Sequence, residues 1–222
     1  MKRLLIVAPH PDDELLGCGG TILRHLAEGA EVHWLIVTRM QAEAGFNEDR
    51  IAARKALIEK VAAAVGFTDI HRLDFPAARL DTVPLGDLVA AIGGVVDRSA
   101  ADTLFIPNGS DVHSDHRVVA QAAGACSKWF RHPNVKRVLA YETLSETDFT
   151  LPPDGPGMLI NYYVDIGDQL ARKLELLALY EEELGDFPFP RSLTAVEALA
   201  RMRGAACGCQ AAEGFQLLKA IE

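Results

Sequence analysis

Two short runs of residues concentrate the groups able to do chemistry. Pro9-His10-Pro11-Asp12-Asp13-Glu14 sets three carboxylates beside an imidazole, and Gly17-Cys18-Gly19-Gly20 follows closely. Carboxylates crowded this way repel one another unless a cation or a proton compensates, so the run itself suggests a metal. Its plainer reading is an acidic first helical turn, which the helix dipole favours. The second run is Ser110-Asp111-Val112-His113-Ser114-Asp115-His116. Histidines three apart on a helical turn share a face, so His113 and His116 suit one site, although ordinary surface histidines can have the same spacing. Placement ties the two runs together: each falls at the carboxyl end of an expected parallel strand, where open α/β sheets put their ligands. If the strand order reverses beside the first strand, both tips border one crevice. The glycines also admit a dinucleotide-binding turn. Against it, the G-x-G-x-x-G spacing is absent, a pyrophosphate would meet three acids, and the second strand ends at Thr38-Arg39 without a ribose-binding acid. Close packing of a helix on the sheet accounts for them better.

A family resemblance rests on these residues. Ala8-Pro9-His10-Pro11-Asp12-Asp13-Glu14, Gly17-Cys18-Gly19-Gly20-Thr21 and His113-Ser114-Asp115-His116 resemble, in order and separation, the PIG-L / LmbE-like family of zinc-dependent N-acetylglucosaminyl deacetylases. A weaker likeness runs from residue 3 into the tail, through Arg203-Gly204 and Ala212-Glu213. The resemblance implies a Rossmann-like fold and one zinc per chain held by His10, Asp13 and His116. It also implies Asp12 as general base and His113 as the electrophilic or proton-donating histidine. The residue chemistry agrees. Two imidazole nitrogens and one carboxylate oxygen leave a coordination position open, as a catalytic zinc site requires, and the same set suits ferrous iron. A cation there acidifies water, and a free carboxylate beside it can take the proton. The oxyanion that follows needs positive partners, for which a protonated His113 is a candidate. Asp115 is expected to hold an imidazole in orientation. Glu14 reads equally as such a support or as a helix-start acid. Two departures stand out: Asp111 replaces a tyrosine found in some members, and Arg54-Lys55-Ala56-Leu57 replaces the usual Arg-x-x-Glu. Arg54 is thus a candidate substrate contact lacking the usual acid.

The expected activity is removal of an N-acetyl group from a small N-acetylated sugar, glycoside or nucleotide sugar. An amidase acting on a bulkier glycoside conjugate shares this chemistry. A non-catalytic carbohydrate- or nucleotide-binding module is the alternative of a different class, and Asp12 speaks against it, because a binder needs no spare base.

The elements that must position these residues read as an α/β chain, a Rossmann-like three-layer parallel sheet with helices on both faces. Strands are expected at Leu4–Ala8, Val32–Thr38, Ile70–Phe75, Thr103–Pro107, Arg137–Tyr141 and Tyr162–Ile166. Helices are expected at Leu15–Glu28 and Glu48–Val65, closed by Gly29 and Gly66, and at Leu85–Arg98. Another should start at a cap from Ser110 or Asp111 and run to about Phe130, and an amphipathic one should span Asp168–Leu184. Leu151–Gly157 and Phe187–Arg191 read as loops, and the alanine-rich tail from Ser192 as one or two closing helices. His25, His33, His71 and His132 lack ligand-type neighbours at useful spacing, and Trp34 and Trp129 read as core.

A chain of 222 residues with 49% hydrophobic and 24% charged residues fits a single globular domain over residues 1–222. A net charge of −9 argues against nucleic acid or an anionic membrane as partner. The apolar stretch Leu4–Ala8 is too short for a signal segment or a membrane span. Cys18, Cys126, Cys207 and Cys209 form no disulfide framework, which points to a reducing cytoplasm, and Cys207-Gly208-Cys209 reads as small core thiols. The proline and aromatic loop at Phe187–Pro190 and the tail are candidate homo-oligomer interfaces.

Overall fold

The computed structural model describes residues 2–42, 45–151 and 157–222. Seven strands form one sheet in the order β3-β2-β1-β4-β5-β7-β6. They are β1 (Arg3–Ala8), β2 (Glu31–Arg39), β3 (Asp69–Pro76), β4 (Thr103–Pro107), β5 (Arg137–Tyr141), β6 (Tyr162–Asp165) and β7 (Ala212–Ala220). The helices are α1 (Asp13–Ala27), α2 (Glu48–Val65), α3 (Leu85–Ser99), α4 (Ser114–Ala125), α5 (Leu170–Leu177) and α6 (Leu193–Cys207). The first five strands run parallel, and β1 sits between β2 and β4, so the order reverses beside β1. The tips of β1 and β4 therefore flank one crevice.

Alternation along the strands builds two cores. Leu4, Ile6, Trp34, Ile36 and Tyr141 face α1, α2, α5 and α6, while Leu5, Val7, Leu35, Val37 and Leu104 face α3 and α4. Helices thus cover both faces. Gly17 and Gly20 let α1 lie against the sheet, because a Cβ at Gly17 would come 2.3 Å from Tyr141 Cδ2 and one at Gly20 would come 2.7 Å from Ile166.

The expected three-layer α/β architecture holds, but the sheet is mixed rather than parallel throughout, since β7 pairs antiparallel with both β5 and β6. The tail is one helix and one strand rather than helices alone. Gly208, at φ 82, ends α6 and turns the chain into β7. The weakly matching tail residues have structural work: Arg203 donates two bonds to Glu142 at 2.8 and 2.6 Å. Glu213 accepts the amides of Gly20 and Thr21 at 2.8 and 2.7 Å and the Lys173 ammonium at 2.7 Å, and Lys173 also donates to the Leu16 carbonyl at 2.9 Å. This buried pair clasps the middle of α1 to α5 and β7.

Other boundaries also differ. The cap of α4 is His113, not Ser110 or Asp111, and the helix stops at Ala125. Trp129 beyond it is exposed rather than core. The expected helix to Leu184 breaks after Leu177, with a short 3-10 turn at Glu181–Glu183. Cys207 is exposed and its sulfur lies 3.4 Å from that of Cys209, so neither is a core thiol, whereas Cys18 and Cys126 are buried. Of the expected loop Leu151–Gly157, residues 152–156 lie outside the described residues.

Candidate active site

The site forms where β1 and β4 end. After Ala8 the chain turns through Pro9–Asp12 into α1, and Asp12 takes φ 133, a backbone conformation that residues other than glycine rarely adopt. Glu14 secures it. Its Oε2 accepts the Asp12 amide at 3.0 Å, and its Oε1 accepts the Tyr180 hydroxyl at 2.7 Å. Glu14 is fully buried, and burial pushes its carboxyl up to about 8 against the pull of those bonds. It is a support for Asp12, not a solvated helix-start acid.

His10, Asp13 and His116 converge. His10 Nδ1 lies 3.5 Å from Asp13 Oδ2, and His116 Nε2 lies 3.4 Å from Asp13 Oδ1. Tetrahedral zinc with bonds of about 2.0–2.2 Å to nitrogen and oxygen separates its ligand atoms by roughly 3.3 Å, so these edges fit a bound cation. The outer nitrogens are each fixed by a carboxylate. His116 Nδ1 lies 2.8 Å from Asp111 Oδ2, and His10 Nε2 lies 3.0 Å from Asp115 Oδ2. Such carboxylate–imidazole pairs orient metal-binding histidines and raise their basicity. A second grouping, His10, His113 and Asp115, lies within similar reach. It offers a poorer oxygen donor, because Asp115 already accepts the amides of Ala78 and Leu80 at 2.7 and 3.1 Å besides facing His10.

Electrostatics agree with this division. Burial works to lower His10 and His116, but the carboxylates beside them win: Asp115 and Asp13 hold His10 up at about 9, and Asp13 and Asp111 hold His116 well above its ordinary value. Burial works to raise Asp13, yet His116 and His10 hold it well below the usual carboxylate range. The cluster thus keeps protons that a cation would displace on binding. Asp12 behaves oppositely. Burial, then the charges of Asp13, Glu183 and Glu14, push it well above the usual range, and positive charge among the three ligand groups would act against that rise.

His113 reaches the same cavity as the cap of α4. Its Nδ1 accepts the Asp115 amide at 3.1 Å, which leaves Nε2 to carry the proton of a neutral ring. Burial, then the charges of His10 and His116, lower it to about 4. This arrangement favours a neutral N–H donor over the protonated His113 expected from the sequence.

The cavity has a volume of about 730 Å³ and takes in His10, Asp12, Asp13, His113 and His116. Met40, Ile51, Ile58 and Leu73 give it an apolar wall. Arg54 lines it too, but its guanidinium is bonded to Glu183 and, at 3.4 Å, to the Pro11 carbonyl. Arg191, from the loop expected only as an interface, approaches Asp12 Oδ2 at 3.5 Å and Glu183 at 3.9 Å.

All six residues expected at the site meet here, and Arg54 sits on its wall. Asp111, Glu183, Tyr180 and Arg191 were not anticipated. Asp111 had a signal, as an acid in place of tyrosine five residues before His116, whereas the other three arrive from distant segments with no motif. The reading of His33 and His71 as lacking ligand-type neighbours is also corrected, since His33 Nδ1 and His71 Nε2 stand 3.3 Å apart.

Comparisons with known proteins fit this geometry. Residues 5–127 match the PIG-L family model, described as GlcNAc-PI de-N-acetylase. Diacetylchitobiose deacetylase of Thermococcus kodakarensis is 24% identical over all of this chain and 85% of its own length. The crystal structure of conserved protein TT1542 from Thermus thermophilus superposes with a TM-score of 0.78 at 25% identity, covering all of this chain and 97% of that one. N,N'-diacetylchitobiose deacetylase from Pyrococcus horikoshii shares the fold at a TM-score of 0.78 and 22% identity, over 98% of this chain and 84% of that chain. With the family model spanning more than half of the sequence and both of its histidine-bearing runs, the chain belongs to the PIG-L family of de-N-acetylases.

Proposed function

We propose that this protein is a zinc-dependent hydrolase that removes an N-acetyl group from an amino sugar, free, glycosidic or nucleotide-linked. The observation that carries the reading is one strained, buried carboxylate, Asp12, left off a three-donor set whose atoms have the spacing of metal ligands. His10, Asp13 and His116 would hold the cation, zinc in this proposal, with ferrous iron compatible with the same donors. The cation supplies positive charge that acidifies water and polarises an amide carbonyl. Asp12 takes the proton of the attacking water and returns it to the leaving nitrogen, giving acetate and a free amine. The neutral His113 donates from Nε2 to the developing oxyanion. Glu14 keeps Asp12 in place through its backbone, and Asp111 and Asp115 keep His116 and His10 aimed. Arg54, tied to Glu183, shapes the wall and is a contact for sugar hydroxyls.

The apolar wall of Met40, Ile51, Ile58 and Leu73 favours a second reading with the same chemistry, cleavage of a bulkier acyl group or a conjugate with an apolar aglycone. We take the chain as one catalytic domain working in the cytoplasm. No helix among the described residues is long and apolar enough to cross a membrane. Homo-oligomers remain part of the proposal only through the exposed Phe187 and Phe189.

Acyl release by the zinc-loaded protein across N-acetylated and longer-chain N-acylated sugars, glycosides and nucleotide sugars is the test. Turnover of an N-acetyl sugar is expected. Binding of these compounds without any release would point instead to a non-catalytic module.

A further inference from the structure

The amino end of the sheet, opposite the active site, carries a second cluster of ligand-type side chains. His33 of β2 is the register partner of Asp69 on the edge strand β3, and His71 follows two residues later. Alternation sends all three to the same face. His33 Nδ1 stands 3.3 Å from His71 Nε2, and Asp69 Oδ2 stands 3.6 Å from the same nitrogen. The rings are stacked, with centroids 5.5 Å apart. Asp69 Oδ1 is occupied by the Ile70 amide at 2.8 Å, so Oδ2 is the oxygen turned to the histidines. These separations are those of the His10, Asp13 and His116 set, and they match the roughly 3.3 Å ligand spacing around tetrahedral zinc with bonds of about 2.0–2.2 Å.

We propose that His33, Asp69 and His71 form a second divalent transition-metal site, separate from the active site, which clamps the edge strand β3 to β2. Two imidazoles and one carboxylate suit zinc, copper or nickel better than the hard cations that prefer all-oxygen sites. Burial lowers both imidazoles, so they offer lone pairs at neutral pH. The charged neighbours are balanced: Glu31 is paired with Arg3 at 2.6 Å, and the charge of Arg98 acts on His71 against that of Asp69. An N–H···N bond between the imidazoles is the competing account of the close approach, and it requires no metal.

The two accounts differ in metal uptake. Cys207 and Cys209 are first replaced by serine, to remove two neighbouring sulfurs that would compete for metal. The metal-free protein is then titrated with Zn2+ alone by calorimetry and equilibrium dialysis. His71→Ala, and separately Asp69→Asn, which keeps the side-chain shape, should lower uptake by one equivalent or weaken that equivalent at least tenfold. The rate of acyl release with the catalytic metal supplied should not change. Uptake that is the same, in number and affinity, in the parent and in both variants would overturn the proposal and leave the imidazole–imidazole bond as the explanation.

Discussion

Asp111 illustrates what one residue contributes and how far it could be read in advance. The two histidine-bearing runs were legible because short-range spacing fixes which side chains share a strand tip or a helical turn. Which carboxylate supports which imidazole was not, because Asp115 serves His10, 105 residues away, rather than either histidine of its own run. Asp111 is fully buried, faces His116 Nδ1 at 2.8 Å and accepts the Thr147 hydroxyl at 2.7 Å. Asp111→Asn should keep the fold and weaken metal affinity by about 10–100-fold, the usual cost of losing a carboxylate behind a metal-bound histidine. Competition with a chelator of known affinity measures it. An unchanged affinity would mean that His116 needs no such support.

At the scale of elements, the βα half of the chain could be read because its inner strands are continuous apolar runs and its first two helices are closed by glycines. The antiparallel closure by β7 could not, since Ala212–Ala220 is short of β-branched residues and contains Gly214, and its strand character comes from pairing with β5 and β6. The same closure brings Glu213 to α1. Glu213→Gln leaves the Lys173 ammonium buried without its counter-charge, and should cost about 3–5 kcal/mol in denaturant unfolding. Glu28→Gln, breaking the exposed pair with Arg24, should leave the unfolding midpoint nearly unchanged. Similar losses from the two changes would show that the buried clasp is not what secures α1.

Across the whole molecule, two thiols are enclosed and two lie around the carboxyl end of α6. Burial pushes Cys126 up to about 11 and Cys18 well above its ordinary value. Their reactive thiolate forms gain ground only as pH rises toward those values, so at pH 8 both remain overwhelmingly protonated. Alkylation of the native protein at pH 8 should therefore label Cys207 first, with Cys18 and Cys126 modified only after unfolding. Mass spectrometry of timed samples distinguishes the sites, and early modification of Cys18 would contradict the packing of α1 against the sheet.

The most direct test of catalysis falls on Asp12. Asn keeps its size and shape, yet cannot take a proton from water at neutral pH. Asp12→Asn is therefore compared with the parent for acyl release at matched, measured metal content. The mechanism requires a fall of roughly two to four decades in turnover with metal content unchanged. Full turnover by a fully metal-loaded Asp12→Asn protein would contradict it.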